Sequence, residues 1–113
     1  MDDSILDSIK KLLGFDPDYT AFDTDIMIHI NSTIMGLEQL GVGNNNYQIS
    51  SKDDTWGNYL AGTNINLEAV KSYIYLKVRL IFDPPATSFT IEAYQKQIAE
   101  YEWRLFLQAE QTN

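Results

Sequence analysis

The side chains in this sequence that could do chemistry are a run of aspartates, one histidine and a few close carboxylate pairs. Asp16, Asp18, Asp23 and Asp25 fall close together, which raises the possibility of a calcium loop. With Asp16 as the first ligand, Asp18 takes the third position correctly. The fifth is then Thr20, the sixth is Ala21 where the turn needs Gly, and the twelfth is Met27 where a bidentate Glu belongs. Turn formation and helix capping explain these aspartates better. His29 is the single histidine, and its neighbours Ile28 and Ile30 give it no nucleophile or acid to work with. The pairs Asp53/Asp54 and Glu100/Glu102 diverge on a helix, so neither makes an acid–base dyad by itself. Gly41-Val42-Gly43 lacks the third glycine and the preceding strand of a dinucleotide fingerprint. The sequence also contains no Gly-Lys-Ser/Thr phosphate cradle and no nucleophile elbow. The expectation is a protein that is not an enzyme and takes no cofactor or metal.

Composition narrows the partners. The 113 residues make one domain, 1–113, able to bury roughly two-thirds of its unfolded surface. Hydrophobic residues are 44% and aromatic residues 12%, too many for a disordered chain. Eight basic against sixteen acidic residues leave a net charge of −8. That charge opposes tight, sequence-independent binding to nucleic acid and to anionic membranes. Cysteine is absent, which removes disulfides and thiolate chemistry. No apolar run approaches the roughly 18 residues of a membrane span. The charged start MDDSILDSIKK does not read as a signal peptide, so the sequon at Asn31 reads as incidental.

The elements that must position these residues are helical. Ile5, Leu6, Ile9, Leu12 and Leu13 share one side of a helix over 3–13, with Asp3 or Ser4 as cap, Lys10 and Lys11 in the last turn and Gly14 as stop. A turn through Pro17 leads to a second helix, from about Asp23 to Leu40, capped by Asp23 or Thr24. Its stripe is Met27, Ile30, Ile34, Leu37 and Leu40, flanked by Ile26. The β-branched run around Ile26–Ile30 also admits a strand, but the stripe continues through Leu40 and favours a helix. Residues 41–65 form a long loop rich in Gly, Asn, Ser and Asp. Within it a short helix carries Trp56, Tyr59 and Leu60, capped by Asp53 or Asp54. Two further helices, over 66–82 and 88–110, flank Asp83-Pro84-Pro85, which no helix can cross. They fold back as an antiparallel hairpin taken here as the core. The fold class is therefore all-α: about four helices, a C-terminal hairpin, and a long loop bearing a short helix.

Apolar residues are oversupplied for one small domain. The 67–81 helix is apolar around most of its circumference, Ile28 and Met35 lie off the second helix's stripe, and Trp103 and Phe106 point away from the stripe Ile91, Tyr94, Ile98, Tyr101, Leu105. Trp103 and Phe106 either pack beneath another element of the chain or form a protein contact with Arg104 and Leu107. Three such surfaces favour an assembly.

Asp83-Pro84-Pro85, Tyr94, Ile98, Glu102-Trp103-Arg104-Leu105 and Trp56-Gly57 together resemble the head–tail connector proteins of tailed bacteriophages, also called head completion or adaptor proteins. The resemblance spans most of the chain, with Phe106 standing where a polar residue is expected. It implies a ring of about twelve copies joined head to tail, seated between the portal and the tail or stopper protein. Double-stranded DNA would pass through it without specific binding, and the protein would reside in the virion neck after assembly in the host cytoplasm. Carried over by segment, Trp103, Arg104, Phe106 and Leu107 become the candidate portal contact. Trp56, Tyr59, Asp53 and Asp54 become the candidate lumen or neighbour contact. An alternative reading is a small acidic regulator that binds one host protein through Trp103. An enzyme with dispersed site residues ranks last.

Overall fold

Each helix begins or ends on an identifiable local signal. The computed structural model describes residues 3–112. α1 (Ile5–Leu12) starts at Ser4, whose side chain accepts the Asp7 N–H, and stops at Gly14 with φ +93°. α2 (Asp23–Gln39) is followed by Gly41 with φ +85°. α3 (Trp56–Tyr59) is a single turn, and α4 (Leu67–Phe82) is capped by Asn66 accepting from the Ala69 N–H. Asp83, ahead of the two prolines, leaves the helical region at φ −148°, ψ 70°. α5 (Ser88–Thr112) completes the chain. No strand occurs among the described residues, only an isolated bridge between Ser4 and Thr55.

α4 is the central element. α2 and α5 both pack on it, and α1 fills the angle between α2 and α4. The molecule is 19 Å thick along its short axis, about the depth of two helices. The apolar circumference of α4 is thus covered by its own chain: Val70, Tyr73, Ile74, Leu76 and Val78 are buried, and Ile81 is left exposed. The surplus expected on this helix is core, because three other helices surround it. Arg79 secures the hairpin, with its guanidinium donating to the Tyr75 hydroxyl at 2.9 Å and lying over the Tyr94 ring at 5.8 Å.

Two expected caps are not used. α2 begins at Phe22 with no side-chain cap, because Asp23 is engaged elsewhere. Its Oδ1 lies 2.8 Å from Lys10 Nζ, a lysine only 1% exposed. That ammonium directs its hydrogen bond to the Pro17 carbonyl at 2.8 Å. Removing a lysine from water is costly unless it is paired, so the carboxylate serves the charge rather than the helix end. The pair closes the α1–α2 turn, where Asp16 also accepts the Asp18 N–H. α3 is capped by Thr55 instead of Asp53 or Asp54, its side chain accepting from the Asn58 N–H. Leu12 is also exposed, off the α1 stripe that Ile5, Leu6 and Ile9 bury.

The 41–65 loop packs as firmly as the helices. Val42, Ile49, Trp56, Tyr59, Leu60 and Ile65 all join the core. A Cβ added at Gly43 would stand 2.3 Å from the Tyr59 ring, and Gly43 has φ +82°. Gly36, inside α2, has open space at the same position. Gly43→Ala is therefore expected to destabilise by about 2–4 kcal/mol, from overpacking plus left-handed backbone strain. Gly36→Ala should stabilise by about 0.5–1 kcal/mol. Urea midpoints of the two variants measure both.

Burial raises the Tyr59 and Tyr73 hydroxyls above the usual tyrosine range, Tyr73 to about 12 with nearby Glu102 adding to the effect. The unfolded chain ionises these tyrosines near pH 10. Below that pH both states hold the proton; above it the unfolded state releases it first, so stability falls as pH rises. The melting temperature should drop from about pH 10 upward, and Tyr73→Phe should flatten the drop. Equal slopes in wild type and variant would refute this.

Candidate functional site

The C-terminal half of α5 is held to the core by one side and open on the other. Leu105 and Ala109 are buried at 0% and 2%. The Gln108 side chain accepts the Asn66 N–H at 3.0 Å, tying the helix to the start of α4. Gly41 allows the loop to approach Ala109, with its Cβ direction 3.4 Å from the alanine methyl. Opposite this anchored side Trp103 is 61% exposed, with its ring centroid 6.3 Å from that of Phe106. Phe106 and Leu107 are half-buried. Arg104 pairs with Glu100 one turn earlier, both well exposed. An exposed pair of this kind contributes little, about 0.3–0.5 kcal/mol, so the guanidinium can still engage another surface. Trp103, Arg104, Phe106 and Leu107 therefore lie together on one rigid helix end, with the aromatic and guanidinium chemistry of interface centres.

The four loop residues separate. Trp56 and Tyr59 are 0% exposed and cannot present a surface to a neighbour or a channel. The physical reason is that they are the largest of the apolar side chains by which this stretch joins the core, beside Val42, Ile49, Leu60 and Ile65. Trp56 lies under α1, its indole N–H donating to the Ser8 hydroxyl at 3.0 Å, and Tyr59 faces the Tyr47 ring at 5.0 Å. Asp54 folds the loop by accepting the Ser50 and Ser51 N–H groups at 2.6 and 3.1 Å. Its carbonyl accepts the Ile5 N–H at 3.0 Å, satisfying a donor at the start of α1. Asp53 alone of the four is a free surface carboxylate.

Sequence reasoning missed two features here. Asn31, first residue of the sequon, clamps the loop: its amide donates to the Ile49 carbonyl at 2.9 Å and accepts the Ile49 N–H at 2.8 Å. An asparagine off the apolar stripe gives no local sign of a partner eighteen residues away. The second is an aromatic corner of Phe15, Tyr19, Phe22, His29 and Phe82, with centroids 5.5–6.4 Å apart. Tyr19 and Phe22 are 48% and 40% exposed there. The spacing of Phe15, Tyr19 and Phe22 was a usable signal, but it runs through a turn where helical periodicity does not apply. Ile28 and Met35 also remain exposed, at 58% and 57%.

The side chains around the loop should divide by mutation. Asn31→Ala leaves the Ile49 backbone groups unpaired and is expected to cost about 1–3 kcal/mol. Asp54→Ala removes the turn's acceptor and should cost about 1–2 kcal/mol. Asp53→Ala should stay within about 0.5 kcal/mol of wild type. Chemical denaturation of the three variants tests the order.

No helix of the described residues is long and apolar enough to cross a membrane. No curated protein and no solved structure matches the sequence significantly. The family model described as phage connector protein matches residues 5–112, which takes in every helix, the ordered loop and the exposed end of α5. The chain belongs to the phage connector protein family.

Proposed function

We propose that this connector acts as a ring adaptor in the virion neck, between the portal and the tail or stopper protein. The observation that carries the reading is Trp103, 61% exposed beside Phe106 on a helix that Leu105 and Ala109 fix to the core. A large aromatic left in water on a rigid support suits a partner's pocket. The exposed end of α5 is thus the proposed portal contact, through Trp103, Arg104, Phe106 and Leu107. Two other patches, the aromatic corner and Ile28/Met35, are different surfaces on one copy, as a head-to-tail ring requires. The net charge of −8 fits a conduit through which duplex DNA slides without being held. Asp53, exposed on the loop, is the one loop candidate still available to face that lumen.

Native mass of the purified chain, alone and mixed with the portal ring from the same source, tests the adaptor role. A discrete multimer on the portal is expected; a monomer that ignores the portal would overturn the reading. Trp103→Ala should weaken portal binding tenfold or more, about 1.4 kcal/mol or above, while leaving thermal stability within about 0.5 kcal/mol. Trp56→Ala, in contrast, should unfold the chain, at a cost of about 3–5 kcal/mol.

A further inference from the structure

The outer face of α5 carries a pattern that the core does not use. Helix residues advance by about 100° each, so Phe89, Lys96, Trp103 and Leu107 fall along one outward line. Phe89 is 80% exposed and Trp103 61%, at opposite ends of that line. Across it Glu92, Lys96, Glu100 and Arg104 alternate in sign at a spacing of four, all on the exposed side. Glu100 and Arg104 pair with each other. Among the described residues Glu92 and Lys96 form no ion pair within the chain.

We infer that this face pairs antiparallel with the same face of a second copy. A two-fold axis at the level of Ile98 sets Lys96 against Glu100 of the other copy and Glu92 against Arg104. It sets Phe89 beside Leu107, with Trp103 falling over the small Ala93. An in-register parallel pair would put each charge against its own kind, so the sign pattern selects the antiparallel arrangement. The stripe from Phe89 to Leu107 is about 27 Å long at the helical rise. One helix face of that length is a small interface, below about 1,200 Å² in total, which places the dimer among weak, exchangeable contacts. The pairing covers Trp103 and Leu107. It rests on the adaptor reading in one respect: the free protein would store its portal contact covered, and the portal and the second copy would compete for it.

Sedimentation of the full chain over a range of concentrations should give a reversible monomer–dimer equilibrium. Trp103 emission should shift to the blue as the dimer forms; Trp56 is already buried and will not contribute to the change. Lys96→Glu places like charges together and should weaken pairing about tenfold or more. Adding Glu100→Lys to that variant exchanges the signs and should restore pairing to within about threefold, since opposite charges again face each other. Both positions are exposed on a helix, so the fold should tolerate the changes. A chain that is monomeric at every concentration, or a dimer indifferent to Lys96→Glu or not rescued by the exchange, overturns the pairing. Portal binding by a chain that never dimerises would overturn the pairing and leave the adaptor role standing. Pairing without portal binding would support the pairing and sink the adaptor role.

Discussion

The structure depends on how the 41–65 loop satisfies its backbone. A stretch with one helical turn of its own pairs only some of its N–H and C=O groups internally, as Asn44 with Tyr59 and Thr63 with Leu60, and burying the rest unpaired is expensive. The solution is to borrow partners from the helices. Trp56 N–H donates to the Asp3 carbonyl and the Asp54 carbonyl accepts from Ile5. Asn31 serves Ile49 in both directions, and the Trp56 indole finds Ser8. With those bonds made, the side chains between them enter the core, the remaining polar cost falling on the Tyr47 and Tyr59 hydroxyls, which are buried without a partner. The loop becomes a structural layer that fixes α1 to α2 and, at Gly41, backs the end of α5.

This explains which parts were legible in the sequence. The helices were, because their signals are local: Ser4 and Asn66 as caps, Gly14 and Gly41 as stops, Pro84 and Pro85 as breakers, and stripes spaced three and four apart. Ile26–Ile30 is helical for the same reason, since Ile30, Ile34 and Leu37 continue one buried line. The unused caps were not legible. Asp23 is a good cap candidate by type, and only the fold brings Lys10 to within 2.8 Å of it. A buried ammonium outbids a helix end for a carboxylate, because an unpaired charge costs several times what a missing cap does.

The candidate contact residues divided along the same line. Trp103 reads correctly as lying off its helix stripe because the geometry of a single helix decides it. Trp56 and Tyr59 lie in irregular chain, where spacing assigns no face, and the structure puts them inside. Composition held the relevant hint: a loop that carries Val42, Ile49, Leu60 and Ile65 as well as two large aromatics has enough apolar surface to offset the entropy of being ordered, and it does so by burying them. Gly43 adds a constraint from the other direction. Its missing side chain is the space that Tyr59 fills, so the tyrosine and the glycine are one packing decision made sixteen positions apart.

α5 carries two sets of demands that do not conflict. Ile98, Leu105 and Ala109 face the core, and Phe89, Lys96 and Trp103 face away; helical periodicity keeps the two sets from sharing positions. Substitutions on the outer line therefore have little effect on whether the chain folds, since exposed helical sites tolerate replacement. The inner line has no such freedom, because Leu105 and Ala109 meet tightly packed neighbours. The outer face of this helix can thus vary in sequence while the loop and α4 keep the helix in place. That separation is why the exposed Trp103 is no packing defect: the same helix is packed against the core just beyond it, at Leu105 and Ala109.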